Sequence, residues 1–119
     1  MNEPRHVLDI PIFHKVYELY KLLHSYHHFI PKSQRYTLWQ KCENATLMLL
    51  EVLIETSHQH GPDRLQSLYY ISNKLDFFKV LIRLAKETHT VDLKQYVAIQ
   101  EIIQEVGRML GGWIKSVPR

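Results

Sequence analysis

Apolar positions recur with a helical period along almost the whole chain. From Ile12, "IFHKVYELYKLLHSYHHF" places Phe13, Val16, Tyr17, Tyr20, Leu23 and Phe29 at the spacing of one helix face, not at the alternation of a strand. Pro31 ends this segment, because the residue before a proline is driven out of the helical region. A second helix is predicted from "PKSQRYTLW", with Ser33 as its N-cap, through "CENATLMLLEVLIET" to His60, Gly61 and Pro62. There Gly61 offers the left-handed conformation that closes a helix, and Pro62 suits the first turn of the next one. Leu65, Leu68, Ile71, Leu75, Phe78, Ile82 and Ala85 trace a third helix. "THTVD" breaks it and leaves Asp92 or Thr90 to cap a fourth, whose stripe is Tyr96, Ile99, Ile103, Val106, Leu110, Ile114 and Val117.

The predicted helices therefore run over about 12–29, 33–60, 62–88 and 92–117, after an N-terminal arm at 1–10 marked by Pro4 and bounded by Pro11. Helices of roughly 20 to 27 residues are about 30 to 40 Å long, and the links between them are short. That pattern predicts an all-α fold, an antiparallel up-down-up-down four-helix bundle. A length of 119 residues fits a single domain over 1–119, and 45% hydrophobic residues supply a core and exclude a disordered chain. The lone Cys42 excludes an internal disulfide and a cysteine-rich zinc site. "MNEPRHVLDIP" lacks the apolar run of a secretion signal, and no apolar stretch is long enough for a bilayer. A cytoplasmic, soluble protein without membrane contact is expected.

Candidate chemistry is sparse. His24 and His28 are spaced to share a helix face, but neither an HExxH nor a Glu-x-x-His pattern supplies further ligands, so no metal site is expected. Cys42, mid-helix in "KCEN", has nothing beside it to activate a thiolate. Glu51 and Glu55, one turn apart, read as a solvated pair, and no glycine loop is built to cradle phosphate. No catalytic residue and no cofactor are assigned.

Basic residues change the picture more. Fifteen Lys and Arg against twelve Asp and Glu give a net charge of +3, a weak tilt toward anionic partners. Lys79, Arg83 and Lys86 fall within about 60° of one another on the third helix, beside its apolar stripe. Lys32 and Arg35 open the second helix near Tyr36 and Trp39, and Arg108 with Lys115 project from the fourth. Rows of this kind bind a phosphate backbone. The competing reading is a solvated face with internal ion pairs: Asp76 precedes Lys79, Arg83 precedes Glu87 and Glu105 precedes Arg108 at helical spacing.

The closing "GRMLGGWIKS" holds three of the four glycines, each costing about 1 kcal/mol inside a helix. Gly107 and Gly111 lie on one shoulder of the apolar stripe, where a smooth surface suits close approach of another helix. Trp113 stands near the other shoulder as a large anchor. These three are candidates for helix packing or oligomerisation, and the pattern leaves open whether the neighbour is the same chain or another copy.

"FIPKSQRYTLWQKCENATLMLLEVLIE", "KLDFFKVLIRLAKE" and "KQYVAIQEIIQEVGRMLGGWIKS" together resemble the accessory variability determinant proteins of diversity-generating retroelements. These belong to a wider four-helix family that includes proteins encoded by intervening sequences of ribosomal RNA genes. The similarity covers about residues 12–117, with "PKSQRYTL" and "GRMLGGWIKS" its most specific parts, while Trp39 and Cys42 depart from it. The resemblance implies a homopentameric barrel that is not an enzyme. It implies a partner reverse transcriptase and RNA or DNA contact, in support of mutagenic cDNA synthesis and retrohoming. Lys32, Arg35, Lys79, Arg83, Lys86, Arg108 and Lys115 are the matching basic positions. A second expectation is a helical adaptor that oligomerises and binds proteins without touching nucleic acid.

Overall fold

The computed structural model describes residues 9–119, so most of the expected N-terminal arm, residues 1–8, lies outside the described residues. Helix α1 covers Pro11–Ser25 and is followed by a 3-10 turn at His27–Phe29 and a single helical turn, α2, at Lys32–Arg35. Three long helices complete the chain: α3 (Leu38–Ser57), α4 (Gly61–Glu87) and α5 (Leu93–Ser116). No strand occurs among the described residues.

Helices α1, α3, α4 and α5 form a ring in which each packs on the next and α5 closes onto α1. Side chains at the two ends show that neighbours run antiparallel. Trp39 at the start of α3 reaches the end of α1, donating from Nε1 to the Leu23 carbonyl at 3.3 Å. Arg64 at the start of α4 donates to the Thr56 and Ser57 carbonyls at the end of α3 and covers the ring of Trp113 at the end of α5. Lys86, at the other end of α4, covers Tyr96 near the start of α5. The result is an elongated bundle, 47 by 25 by 22 Å.

Each helix contributes one buried stripe: Leu19 and Leu23, Leu49 and Leu53, Phe78 and Ile82, Ile99 and Ile103 are all essentially inaccessible. Burying a side chain of this size stabilises the fold by about 1.5 to 3 kcal/mol. The α1 stripe differs from its expected form, because Leu19 is buried while Tyr17 points outward and Phe29 is 75% exposed. The helix stops at Ser25, whose hydroxyl donates to the Leu22 carbonyl at 2.6 Å, so Phe29 has left the helical register.

The expected second helix, unbroken from an N-cap at Ser33, also divides. Pro31 occupies the N-cap of α2, and Thr37 takes φ −118°, ψ −99° between α2 and α3. That break lets α3 begin on a new axis with Trp39 turned fully inward. The α3–α4 link closes through Gly61 at φ +57°, followed by Pro62 in the first turn of α4. Between α4 and α5, His89 takes φ +60°, and the Thr90 and Val91 N–H groups both donate to the Ala85 carbonyl. Asp92, and not Thr90, caps α5: its carboxylate accepts from Gln95 N–H at 2.7 Å while the Gln95 side chain accepts from Asp92 N–H at 2.9 Å.

Adjacent phenylalanines on α4 separate core from surface, Phe78 being inaccessible and Phe77 half exposed. Phe78→Ala is expected to cost about 3 to 5 kcal/mol of unfolding free energy in urea titrations, and Phe77→Ala less than about 0.5 kcal/mol for the isolated chain.

Candidate basic and assembly surfaces

The α4 row is where the spacing placed it. Lys79, Arg83 and Lys86 are exposed and border the buried stripe on the α5 side, since Lys86 Nζ lies 4.8 Å from the Tyr96 ring centre. Each already has an intramolecular neighbour. Lys79 sits 3.8 Å from Asp76 and Arg83 donates to Glu87 at 3.0 Å. Exposed pairs like these contribute at most about 1 kcal/mol, so an incoming phosphate competes with them at little cost.

Lys32 and Arg35 share the end of the bundle at which α4 finishes, but their environments differ. Lys32 is exposed and makes no ion pair with the described residues. Arg35 is half-buried, and its Nη2 donates to the carbonyls of His28 at 3.3 Å and Ile30 at 3.0 Å. Its guanidinium thus holds the turn between α1 and α2 as well as carrying charge.

Arg108 and Lys115 are not brought into this group. Both are exposed, and by helical rotation they lie about 120° to 160° from the buried Ile103 and Leu110, facing straight outward instead of flanking the stripe. Lys115 also sits roughly 30 Å along the bundle from the Lys86 end. Arg108 pairs with Glu105 on its own helix. Five of the seven basic candidates thus occupy one half of the molecule and two the other.

Gly107, Gly111 and Gly112 belong to α5, and a Cβ built at any of them meets nothing within 4 Å. Among the described residues no other helix approaches the shoulder they form. Trp113 is half-buried against the core, with the Arg64 guanidinium 5.5 Å from its ring centre. It anchors α5 to α4 within the chain.

The remaining candidates resolve simply. Because α1 ends at Ser25, His24 and His28 do not share a helix face. His24 instead stacks between Tyr20 and His27 at 6.0 and 6.4 Å. His27 Nδ1 lies 3.6 Å from Glu43 Oε2, an oxygen that is buried without a hydrogen-bond partner. Glu51 and Glu55 are exposed beside an open groove of about 460 Å³ between α3 and α4, lined also by Met48, Val52 and Tyr70. The Cys42 thiol is fully buried; burial, reinforced by the Glu43 charge, pushes its pKa up to about 12.

Two features were not picked out by pattern reasoning. One is the ring cluster around His27, and the other is the exposed apolar face of α4 formed by Phe77, Val80 and Leu84. The second was legible in principle, since these residues fall within about 60° of one another on the side of α4 away from Phe78 and Leu75.

A model of the family described as bAvd-like matches residues 11–117, nearly the entire chain. No curated protein is similar to it at a significant level.

Cys42 yields a direct test. A thiol-specific chromogenic reagent should leave the native protein unmodified at mildly alkaline pH and modify one thiol after unfolding in urea. The unfolded thiol ionises near pH 9.0 and the folded one near 12. The stability this group contributes is therefore complete below pH 9 and lost as pH rises toward 12.

Proposed function

The chain belongs to the bAvd-like family of accessory variability determinant proteins, and from that membership we propose that it is a non-catalytic partner of a retroelement reverse transcriptase. In this reading it is cytoplasmic, assembles with itself as a homopentamer, and binds the enzyme together with RNA or DNA during mutagenic cDNA synthesis and retrohoming. The observation that carries the reading is the family match over residues 11–117. Physical support comes from the exposed row Lys79, Arg83 and Lys86, with Lys32 at the same end of the bundle. Assembly multiplies a modest charge: five copies of a chain at +3 present many weak phosphate contacts at once, and linked contacts gain by avidity.

The α4 row is the primary test. Replacing Lys79, Arg83 and Lys86 together with Glu should lower RNA affinity at least about tenfold and reduce the slope of log K against log salt by about 2 to 3. Circular dichroism should be unchanged, because all three side chains are exposed. Wild-type affinity in this variant removes the row from the interface.

Self-assembly has its own support. Phe77, Val80 and Leu84 leave an apolar strip on the outside of α4, and the α5 glycines present a bare shoulder that none of the described residues covers. Gly107→Ala with Gly111→Ala should stabilise the isolated helix by up to about 1 kcal/mol per site yet reduce the mass seen by light scattering. A wild-type mass of one chain removes the oligomer, and an undiminished mass in the variant removes the glycine shoulder from its interface.

A second reading is favoured by a specific observation. Lys79, Arg83 and Arg108 each pair with an acid on their own helix, which is what a solvated face does. In that case the chain is an oligomerising helical adaptor, and partner-protein binding would persist in the triple Glu variant while nucleic acid is not retained even by the wild type.

A further inference from the structure

The turn between α1 and α3 carries a concentration of aromatic rings and positive charge, of which Arg35 and His27 are engaged within the fold and Phe29, Lys32, Tyr36 and Lys41 are exposed. Tyr20, His24 and His27 stack in series, with centres 6.0 and 6.4 Å apart and ring planes within 18° and 26° of parallel. Tyr36 closes the series edge-on at 6.3 Å from His27. From the same turn Phe29 projects 75% exposed and Tyr36 68% exposed.

Along this stretch of chain the charges are one-sided. Residues 19–42 contain no Asp or Glu, yet they hold Lys21, Lys32, Arg35 and Lys41 together with His24, His27 and His28. The first acid beyond this stretch, Glu43, is held against His27, and Glu18 just before it is held by Lys21 at 3.2 Å. Lys32 and Lys41 remain exposed. Asp92, whose charge reaches Tyr26, is the acid that approaches this corner from α5. Flat ring faces beside exposed Lys32 and Lys41 match a ligand that offers flat rings joined by anions. Aromatic platforms flanked by cations bind single-stranded nucleic acid in this way, because every base has a π face and every linkage a charge. A protein partner matches less well, since the ladder rings are Tyr and His with polar edges and present no aliphatic strip.

We infer that Tyr36, at the end of the Tyr20–His24–His27 ladder, and Phe29, exposed on the same turn, form a base-stacking platform for single-stranded RNA or DNA. The exposed Lys32 and Lys41 are the cations that would neutralise flanking phosphates. The inference rests on the nucleic-acid reading above and adds a preference to it. The α4 row takes any phosphate backbone, whereas the platform takes only bases freed from a duplex.

The test compares Phe29→Ala with Tyr36→Ala in one chain against the wild type, using aminopurine-labelled single-stranded RNA, its DNA counterpart and a duplex of equal length. For the wild type, bound single strands should show quenched aminopurine fluorescence. In the double variant the quenching should be lost and single-strand affinity should fall about tenfold. Duplex affinity and the salt slope should be unchanged, since no phosphate contact is removed. Tyr36→Phe, which keeps the ring, should retain binding. Both substituted side chains are exposed, and an unaltered thermal melt verifies the fold. Wild-type quenching and affinity in the double variant overturn the platform while leaving the nucleic-acid reading intact. Loss of reverse-transcriptase binding alone, with RNA affinity unchanged, also overturns it and assigns the patch to protein. If the wild type binds neither strand nor duplex, the reading on which the platform rests falls with it.

Discussion

The burial of Trp39 sets the geometry on which the rest of the bundle depends. It is the largest inaccessible side chain among the described residues, and an indole in that position requires a partner for its N–H. The carbonyl of Leu23 supplies one while also accepting from the Tyr26 N–H at 3.1 Å. It joins the end of α1 to the start of α3 at a single point. The chain between them must then bend sharply, which accounts for the 3-10 turn, the isolated turn α2 and the unusual conformation of Thr37. Arg35 supports the same bend from outside by bonding two carbonyls of the turn.

Once that corner is fixed, the outward surfaces follow from rotation along each helix. A helix in a four-membered ring buries one stripe and offers its two shoulders and outer face to solvent or partners. On α4 the shoulder toward α5 is basic and the outer face is apolar, so charge and hydrophobic contact are segregated on one element. On α5 the outer face carries Arg108 and Lys115 in the opposite half of the bundle from the α4 row. With Lys86 level with Tyr96, Arg108 lies about 8 Å along the axis beyond Lys79 and Lys115 roughly 30 Å beyond Lys86, so a polyanion that touches both sets must cross from the shoulder of α4 to the outer face of α5.

Helical periodicity was legible wherever a stripe was long and regular. The α4 and α5 stripes could be read directly, because large apolar residues recur there without interruption, whereas the α5 cap was narrowed only to Asp92 or Thr90. The α1–α3 corner was not, and the reason is local. Pro31 signals a break without saying how many residues the turn consumes, and four residues past Ser25 the ring of Phe29 still falls on the helical pattern although the helix has ended. Trp39 looked anomalous in sequence because its role is tertiary: nothing within α3 explains it, and the carbonyl it needs lies sixteen residues away. The basic positions were equally readable, but whether they form one surface depends on axial position across antiparallel helices, which periodicity does not carry.

The α5 glycines show how structure sharpens a pattern by subtraction. Inside a single chain a glycine at a helix–helix crossing is recognised by the clash that a methyl group would cause. Gly107, Gly111 and Gly112 have no such clash, so the helical cost of about 1 kcal/mol at each is not offset by packing within the fold. Trp113 does not account for them either, since Arg64 and the core already hold it. The glycines are thus unexplained by stability of the protomer, and the space above them is open. That absence of a neighbour separates them from Trp113, which anchors α5 within the chain.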